Sequence, residues 1–323
     1  MSRYLVVFPD DSVRPILDAI DQAKTSLRVK MFVFSDSRIL ASVIRAQRRG
    51  VRVRVMLNPT RRDGTVENQG SRKYLADAGV EVIDSTPTFE VTHEKSMVVD
   101  DRSAWIMSLN WETKNITETR DYAVVTSDAH EVQEVVECFE ADWSRCPFHP
   151  GDDSHMIWCV GNARHKIAQF IDDTKHSLWV QNERYQDPLI IEHLVRAARR
   201  GVKVHIMARP PHALKDEKLI EGVAGLRILD DVGVKVHKVH GLKLHAKLMF
   251  ADRARAIVGS INLAPGSFNS RRELAIEVRN HDVIDRIHSL VHHDWKHSRP
   301  LDLSDQGLIA DMGQRGREIV STV

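Results

Sequence analysis

A nine-residue segment that occurs twice in the sequence indicates how the chain is built. Residues 48–56 read RRGVRVRVM and residues 199–207 read RRGVKVHIM, an offset of 151 positions. Two more segments return at similar spacing: KTSLRV at 24–29 as KHSLWV at 175–180, and LADAGVEV at 75–82 as LDDVGVKV at 229–236. A single long-period repeat predicts two similar domains packed about a pseudo-two-fold axis, because a solenoid needs several short repeats.

Each half alternates predicted helices with predicted strands. Glycine stands where a helix C-cap is expected, at Gly50 and Gly201, directly before a strand. The spacing of the apolar residues indicates where the helices and strands lie. It predicts helices at 13–24, 39–49, 164–175 and 189–200 and strands at 27–34, 51–57, 178–181 and 202–208. This alternation predicts an α/β fold in which helices cover a sheet.

The domain limits follow from the repeat and from turn-forming residues. The segment CPFHPGDD at 146–153 is rich in turn residues and is the predicted linker. We therefore expect a first half at 1–148 and a second half at 155–300. Residues 301–323 lie outside the repeat and are predicted to form a polar tail that ends in a short helix.

Composition limits the possible classes of protein. The chain has 323 residues, 42% hydrophobic and 28% charged, and 46 Lys+Arg against 45 Asp+Glu give a net charge of +1. A folded core is therefore expected, without the strongly basic field that nucleic-acid binding favours. Three cysteines suggest a reducing compartment. No apolar run approaches the ~18 residues of a membrane span, so we expect a cytoplasmic protein whose membrane contact, if any, is peripheral.

A second repeat carries residues with chemical potential. Residues 93–100 read HEKSMVVD and 245–252 read HAKLMFAD, followed by MSLN at 107–110 and GSIN at 259–262. Alternating apolar residues predict a hairpin in each half. With the turn centred between residues 101 and 102, and between 253 and 254, the predicted opposed pairs are His93 with Asn110, Lys95 with Ser108, His245 with Asn262 and Lys247 with Ser260.

Such a cluster suits a phosphoryl group. Lysine offers a positive charge, serine and asparagine offer neutral donors, and histidine can act as a nucleophile or as a general acid. With two copies, one histidine can attack phosphorus while the other protonates the leaving oxygen. Two lysines can neutralise the phosphate, and neither motif places a chelating carboxylate beside its histidine and lysine. We therefore expect no catalytic metal and no cofactor.

An acidic residue follows each histidine at the same distance. Asp121 and Glu273 lie 28 positions after His93 and His245, respectively. A catalytic imidazole needs a partner on its other nitrogen to fix its tautomer, and these two acids are the candidates. The alternative is a salt bridge from each acid to its neighbour, Arg120 or Arg272.

The chain resembles the phospholipase D superfamily. The second copy matches the H-x-K-x4-D-x6-G-S-x-N signature throughout, and the first departs from it only in having Met107 in place of glycine. The resemblance covers about residues 1–300 and implies a bilobal α/β sandwich with one shared active site and a phosphohistidine intermediate. It implies that His93 is the nucleophile and His245 the acid, that Asp100 and Asp252 are structural, and that Met107 reduces the symmetry around the phosphate.

The substrate remains open at this point. One hypothesis is a phospholipase D-like enzyme that cleaves or exchanges a phospholipid headgroup, acting as a monomer with an internal pseudo-dimer. The near-neutral charge favours it, and Asn262-Leu263 followed by Ser267 and Glu273 resembles the lipid-acting members of the superfamily more than the nucleases. The second hypothesis is a nuclease that cuts DNA or RNA with the same site, and a third is a non-catalytic phosphate-binding protein. A row of histidines at 288, 292, 293 and 297 also permits a metal site, but no further ligand pattern accompanies it and we expect a solvated helix face.

Overall fold

Two mixed sheets with equivalent strand order form the framework of the protein. The structure, a computed structural model, describes residues 3–61, 64–151, 154–210 and 216–310, without the side chains of 216–221. The first half contains β1 (Arg3–Phe8), α1 (Arg14–Gln22), β2 (Ser26–Met31), α2 (Ser37–Arg48), β3 (Arg52–Leu57), α3 (Gln69–Asp77), β4 (Glu81–Asp84), β5 (Val91–Thr92), β6 (Ser96–Val99), β7 (Ser103–Met107), α4 (Thr113–Thr117), β8 (Thr119–Thr126) and α5 (Ala129–Trp143).

The second half repeats this order. It contains β9 (Met156–Cys159), α6 (Ala163–Asp172), β10 (Ser177–Gln181), α7 (Pro188–Arg199), β11 (Lys203–Met207), α8 (Asp216–Asp231), β12 (Lys235–Lys238), β13 (Lys243–Leu244), β14 (Leu248–Ala251), β15 (Arg255–Gly259), α9 (Pro265–Ser270), β16 (Arg271–Val278), α10 (His281–Lys296) and β17 (Arg299–Pro300).

The helices and strands predicted from the repeat are present, with ends displaced by a few residues. Asp36 caps α2 by accepting hydrogen bonds from two backbone amides, and Asp187 caps α7, whose first turn holds a proline. Gly50 and Gly201 follow these helices with φ of 89° and 90°. Residues with a side chain rarely adopt this left-handed backbone conformation, whereas glycine does, and it therefore permits the turn into β3 and β11.

Each half is a mixed sheet with its own core, and the halves share a third core. The sheet orders are β1-β8-β7-β6-β2-β3-β4 and β9-β16-β15-β14-β10-β11-β12-β17, with β2, β3 and β4 parallel and β10, β11 and β12 parallel. One core underlies the helices of each half. The third includes residues from both sheets and from α5 and α10. The prediction of two α/β halves is confirmed.

Two short strands cross between the halves. In the first half, β5 pairs in parallel with β16 of the second half, with Thr92 opposite Arg272. In the second half, β13 pairs in parallel with β8 of the first half, with Leu244 opposite Arg120. Because each crossing strand leads directly into a motif histidine, the exchange brings both motifs to the boundary between the halves.

The predicted hairpin register is wrong by one residue in both halves. Ser96 pairs with Ile106, and Leu248 pairs with Val258. At each hairpin tip two successive residues have positive φ, those at 100–101 and those at 252–253. The turn is closed by the amide of Arg102, which donates to the carbonyl of Val99, and in the second half by the amide of Ala254, which donates to the carbonyl of Ala251. This geometry centres the turn on residue 101 or 253, and not between two residues. Asp100 holds that geometry because its carboxylate accepts hydrogen bonds from the backbone amides of residues 24–26.

The segment after β17 begins as part of the second half. Leu301 and Leu303 are buried in its core, which differs from the polar tail predicted for 301–323, and the end of that tail lies outside the described residues. The predicted linker falls between α5 and β9. No helix in the described ranges is both long enough and apolar enough to cross a bilayer.

Candidate active site

The two motif histidines lie at the boundary between the halves, and each contacts an acid from the opposite half. His93 Nδ1 lies 2.9 Å from Glu273 Oε2. His245 Nδ1 lies 2.9 and 3.1 Å from the two carboxylate oxygens of Asp121. The crossing strands cause this arrangement, because the pairing of Thr92 with Arg272 sets the next residue, His93, beside Glu273. The sequence identified both acids, but not which histidine each one contacts.

Asp121 is held in place by two further side chains from its own half. Ser108 Oγ donates to Asp121 Oδ1 at 2.6 Å and accepts from the amide of Tyr122 at 2.8 Å. Thr119 Oγ1 donates to the other oxygen. Ser108 was expected to face Lys95, but the shifted register sets Lys95 opposite Met107 and leaves the serine on the acid. Ser260 likewise bonds to the backbone of Leu274, next to Glu273.

Both motif lysines are buried and point their ammonium groups back to the histidine of their own motif. Lys95 and Lys247 each donate to the backbone carbonyl of the histidine two positions earlier. The asparagines lie nearby: Asn110 Nδ2 donates to Glu112 at 3.1 Å, and Asn262 Nδ2 donates to Glu183 at 3.1 Å. Each amide nitrogen carries a second hydrogen that can serve a ligand.

The arginines that precede the two acids lock the halves together. Arg120 forms a two-pronged contact with Asp294 on α10, with both distances 2.9 Å. Arg272 contacts Asp142 on α5 in the same way, at 3.1 and 2.8 Å. The alternative that each arginine pairs with its neighbouring acid is therefore wrong. Asp121 and Glu273 remain available to the histidines.

Burial and charge set the protonation of the first histidine and its lysine. Burial lowers the pKa of His93 well below its ordinary value, and the neighbouring Lys95 and Lys247 lower it further. Burial and the repulsion from Lys247 also lower the pKa of Lys95 well below its usual range. These shifts favour a neutral, nucleophilic imidazole at His93 near neutral pH.

The two acids differ in their electrostatic surroundings. Burial acts to raise the pKa of Asp121, but His245 and Lys247 outweigh it, so this pKa is lowered. Burial raises the pKa of Glu273, although Arg271 and Lys95 oppose the rise. The charged form of Asp121 is therefore stabilised beside His245, whereas burial opposes the charged form of Glu273 beside His93.

Sequence reasoning missed one functional candidate, Glu183, which distinguishes the two half-sites. It follows β10 at the position equivalent to Phe32 after β2, at the repeat offset of 151. Its carboxylate lies 3.6 Å from Lys247 Nζ and 3.4 Å from Arg209 Nη1, and its side chain is 9% exposed. The ring of Phe32 instead lies 4.7 Å from the ring of His93 and 5.0 Å from Lys95 Nζ. The repeat offset was the available signal, because it aligns an acid with an aromatic residue.

The departure of Met107 from the motif also has a structural counterpart. At Gly259 an added Cβ would lie 2.3 Å from the carbonyl oxygen of Leu274, so this strand pair leaves no space for a side chain. Met107 takes the equivalent position and is fully buried in the first-half core. The second-half strand pair therefore requires glycine at this position, whereas the first-half pair accommodates a methionine side chain. The reduced symmetry around the phosphate stays a prediction.

One cluster among the described residues has the composition of a metal site, and a lysine occupies it. Glu94, Cys138 and Asp142 converge, but Lys30 Nζ lies 2.9 Å from Glu94 and 2.8 Å from Asp142. The ammonium group takes the place that a cation would fill. Of the four histidines in and directly after α10, His288 and His292 pack against each other and against Phe250 and Trp179, while His293 and His297 contact each other.

The amino-acid sequence is similar to those of two kinds of known enzyme. It is 28% identical to a polyphosphate kinase of Vibrio parahaemolyticus over 66% of this chain and 32% of that protein. It is 25% identical to cardiolipin synthase B of Salmonella typhi over 87% of this chain and 78% of that protein. The chain thus spans about a third of the first relative and most of the second.

Solved structures support the same fold across the whole chain. The phosphatidylserine synthase of Haemophilus influenzae superposes with a TM-score of 0.74 at 11% identity and covers 99% of this chain and 94% of its own. The family described as "Cardiolipin synthase, PLD-like domain" matches twice, at residues 16–143 and 167–295. These two matches coincide with the two halves and include both motifs, and the chain belongs to this phospholipase D-like family.

Proposed function

We propose that the protein is a phosphodiesterase of phospholipase D type that transfers or hydrolyses a phosphatidyl group. The observation that carries the proposal is the reciprocal pairing of each motif histidine with a buried acid of the other half. Each acid fixes the Nδ1 proton of its imidazole, so that Nε2 is the reactive nitrogen. Two such imidazoles beside two buried lysines form a complete set for attack on phosphorus and protonation of the leaving oxygen.

In the first step, His93 Nε2 attacks phosphorus and the bond to the leaving alcohol breaks. His245 donates its proton to the leaving oxygen, and Lys95 and Lys247 stabilise the charge on the non-bridging oxygens. In the second step, His245 accepts a proton from water or an alcohol, whose oxygen attacks phosphorus and releases His93. The lowered pKa of His93 and its direct contact with Glu273 support its role as nucleophile.

Within this reaction, we propose supporting roles for the remaining motif residues. Ser108 positions Asp121, and Ser260 positions the backbone beside Glu273, so neither serine needs to contact the substrate. Asn110 and Asn262 can each donate a second amide hydrogen to the phosphate oxygens. The chemistry needs no metal in this scheme, because the lysines supply the positive charge.

Among phosphodiesters, a phospholipid is the substrate that the comparisons favour. Cardiolipin synthase B matches over most of its length, and the fold of phosphatidylserine synthase covers nearly the whole chain. The polyphosphate kinases match over a third of their length. The overall charge of +1 also gives little attraction for a polyanion such as DNA or RNA.

A substrate panel tests the proposal. Vesicles that contain phosphatidylglycerol, single- and double-stranded DNA, RNA and polyphosphate are each incubated with the enzyme and with the His93→Ala variant as a blank. We expect the wild-type enzyme to release or exchange the headgroup on the vesicles, and we expect the His93→Ala variant to show neither activity. Cleavage of DNA or RNA alone would establish the nuclease hypothesis instead, and turnover of polyphosphate alone would contradict both.

A further inference from the structure

The two half-sites differ in the group that faces the motif lysine, although their motifs are nearly identical. The first half presents the ring of Phe32 to His93 and Lys95, and the second half presents the carboxylate of Glu183 at the equivalent position. Each motif asparagine bonds an acid, but only in the second half does that acid face the motif lysine: Glu183 bonds Asn262 and lies 3.6 Å from Lys247. In the first half, Glu112 bonds Asn110 and is paired with Lys114.

The influence of Glu183 reaches both halves of the site. Its charge acts to raise the pKa of His93 and of Lys95, against the lowering by burial and by the lysines. Burial acts to raise its own pKa, but Lys247 and His245 hold that pKa well below the usual range, so the carboxylate is ionised. Glu183 is therefore a fixed negative charge within range of all four histidine and lysine side chains.

A fixed negative charge in a phosphate site needs a physical reason. Lys95 and Lys247 together carry a formal charge of +2, and Glu183 lowers the sum of these three groups to +1, although Arg209, 3.4 Å from Glu183, offsets part of its charge. A phosphodiester carries one negative charge, whereas a phosphomonoester carries about two above its second pKa of about 6. Asp121 and Glu273 do not serve this purpose because each is bound to the Nδ1 side of an imidazole.

We propose that Glu183 determines charge selectivity: it permits a singly charged phosphodiester between Lys95 and Lys247 and disfavours a doubly charged phosphomonoester. The inference rests on the proposed phosphate site and adds a specificity residue to it. When water completes the reaction, the product is a phosphomonoester. Glu183 then promotes release of this product and keeps free monoesters from occupying the site.

Two phosphates of similar shape test the inference without relying on turnover. Dimethyl phosphate is a monoanion at about pH 8, and methyl phosphate is mostly a dianion. Their affinities are measured by chemical-shift titration of the histidine ring protons in the wild type, Glu183→Gln and Glu183→Ala. Glu192→Gln, which removes an exposed charge on α7, is the matched control. Two Glu183 variants are used so that one poorly folded variant does not prevent a decision.

Removing a charge affects a dianion twice as strongly as a monoanion, in free energy. With screening by Arg209 and solvent, we expect about tenfold tighter dimethyl phosphate and about a hundredfold tighter methyl phosphate in the Glu183 variants. The preference for methyl phosphate over dimethyl phosphate then rises about tenfold, and the Glu192 variant matches the wild type. A rise below fivefold in a folded variant overturns the inference alone. If neither phosphate binds any variant, the proposed function fails with it.

Discussion

Replacing Glu273 by glutamine tests whether the acid of one half activates the histidine of the other. Glu273 Oε2 lies 2.9 Å from His93 Nδ1, and its side chain is fully buried. Attack by Nε2 places positive charge on the imidazole ring. A carboxylate about 4 Å from that charge stabilises it by about 4 kcal/mol at an effective dielectric constant near 20. An uncharged glutamine loses this contribution and can also donate to Nδ1, which favours the wrong tautomer.

The expected cost is about a thousandfold in the rate of the first step, because each 1.36 kcal/mol corresponds to about tenfold. A bis-nitrophenyl phosphodiester isolates this step, since nitrophenolate leaves without protonation, and rapid mixing measures its burst. Glu277→Gln on the same strand, where Glu277 contacts Arg279, is the control and should retain the wild-type burst rate. A loss below tenfold in a folded Glu273→Gln protein would refute the assignment of Glu273 as the partner of His93.

Three further outcomes follow from the site and from the second half. In the pH profile of kcat/KM, activity on the acid side should fall only below about 6.5, the ordinary histidine pKa, because the pKa of His93 is lowered. On the basic side it should fall before about 10.4, the ordinary lysine pKa, because the pKa of Lys95 is lowered. Limbs at the two ordinary values would contradict these shifts. Excess chelator should leave turnover nearly unchanged, and a loss that zinc or magnesium restores would show that a metal takes part. The free energy of unfolding in urea should be lower at about pH 5.5 than at about pH 7.5, because burial lowers the pKa of His205 and His237 in the folded state and protonation below about 6.5 therefore favours unfolding. His205→Phe keeps a ring against Trp179 and should reduce this pH dependence. An unchanged pH dependence in the variant would contradict the role of His205.

The repeat and the motif predicted the main features from the sequence because they depend on local patterns. Helices α2 and α7 begin after an aspartate cap and end before glycine, and these signals lie within a few residues of each other. The residues of the motif are likewise close in sequence. Local hydrogen bonding and apolar spacing were therefore sufficient to place them in hairpins of equivalent position.

The features that the sequence did not predict depend on contacts between the halves. The crossing of β5 and β13 pairs His93 with Glu273 and His245 with Asp121 over 180 and 124 positions, and no local pattern indicates such an exchange. The one-residue error in register arose at the tips, where non-glycine residues adopt positive φ. The sequence did hold a signal for the contacts of Arg120 with Asp294 and of Arg272 with Asp142, because an Asp-Trp pair repeats at 142–143 and 294–295.

Identifying the phosphorylated residue in His245→Ala tests the central claim most directly. In this variant a bis-nitrophenyl phosphodiester can still react with His93, but the base that activates water is missing, so the intermediate should persist. Mass spectrometry of the denatured protein, kept away from acid because phosphohistidine is labile, locates the adduct. We predict an adduct on His93 in His245→Ala and none in His93→Ala. An adduct on His245 in His93→Ala, or none in either variant, would contradict the account.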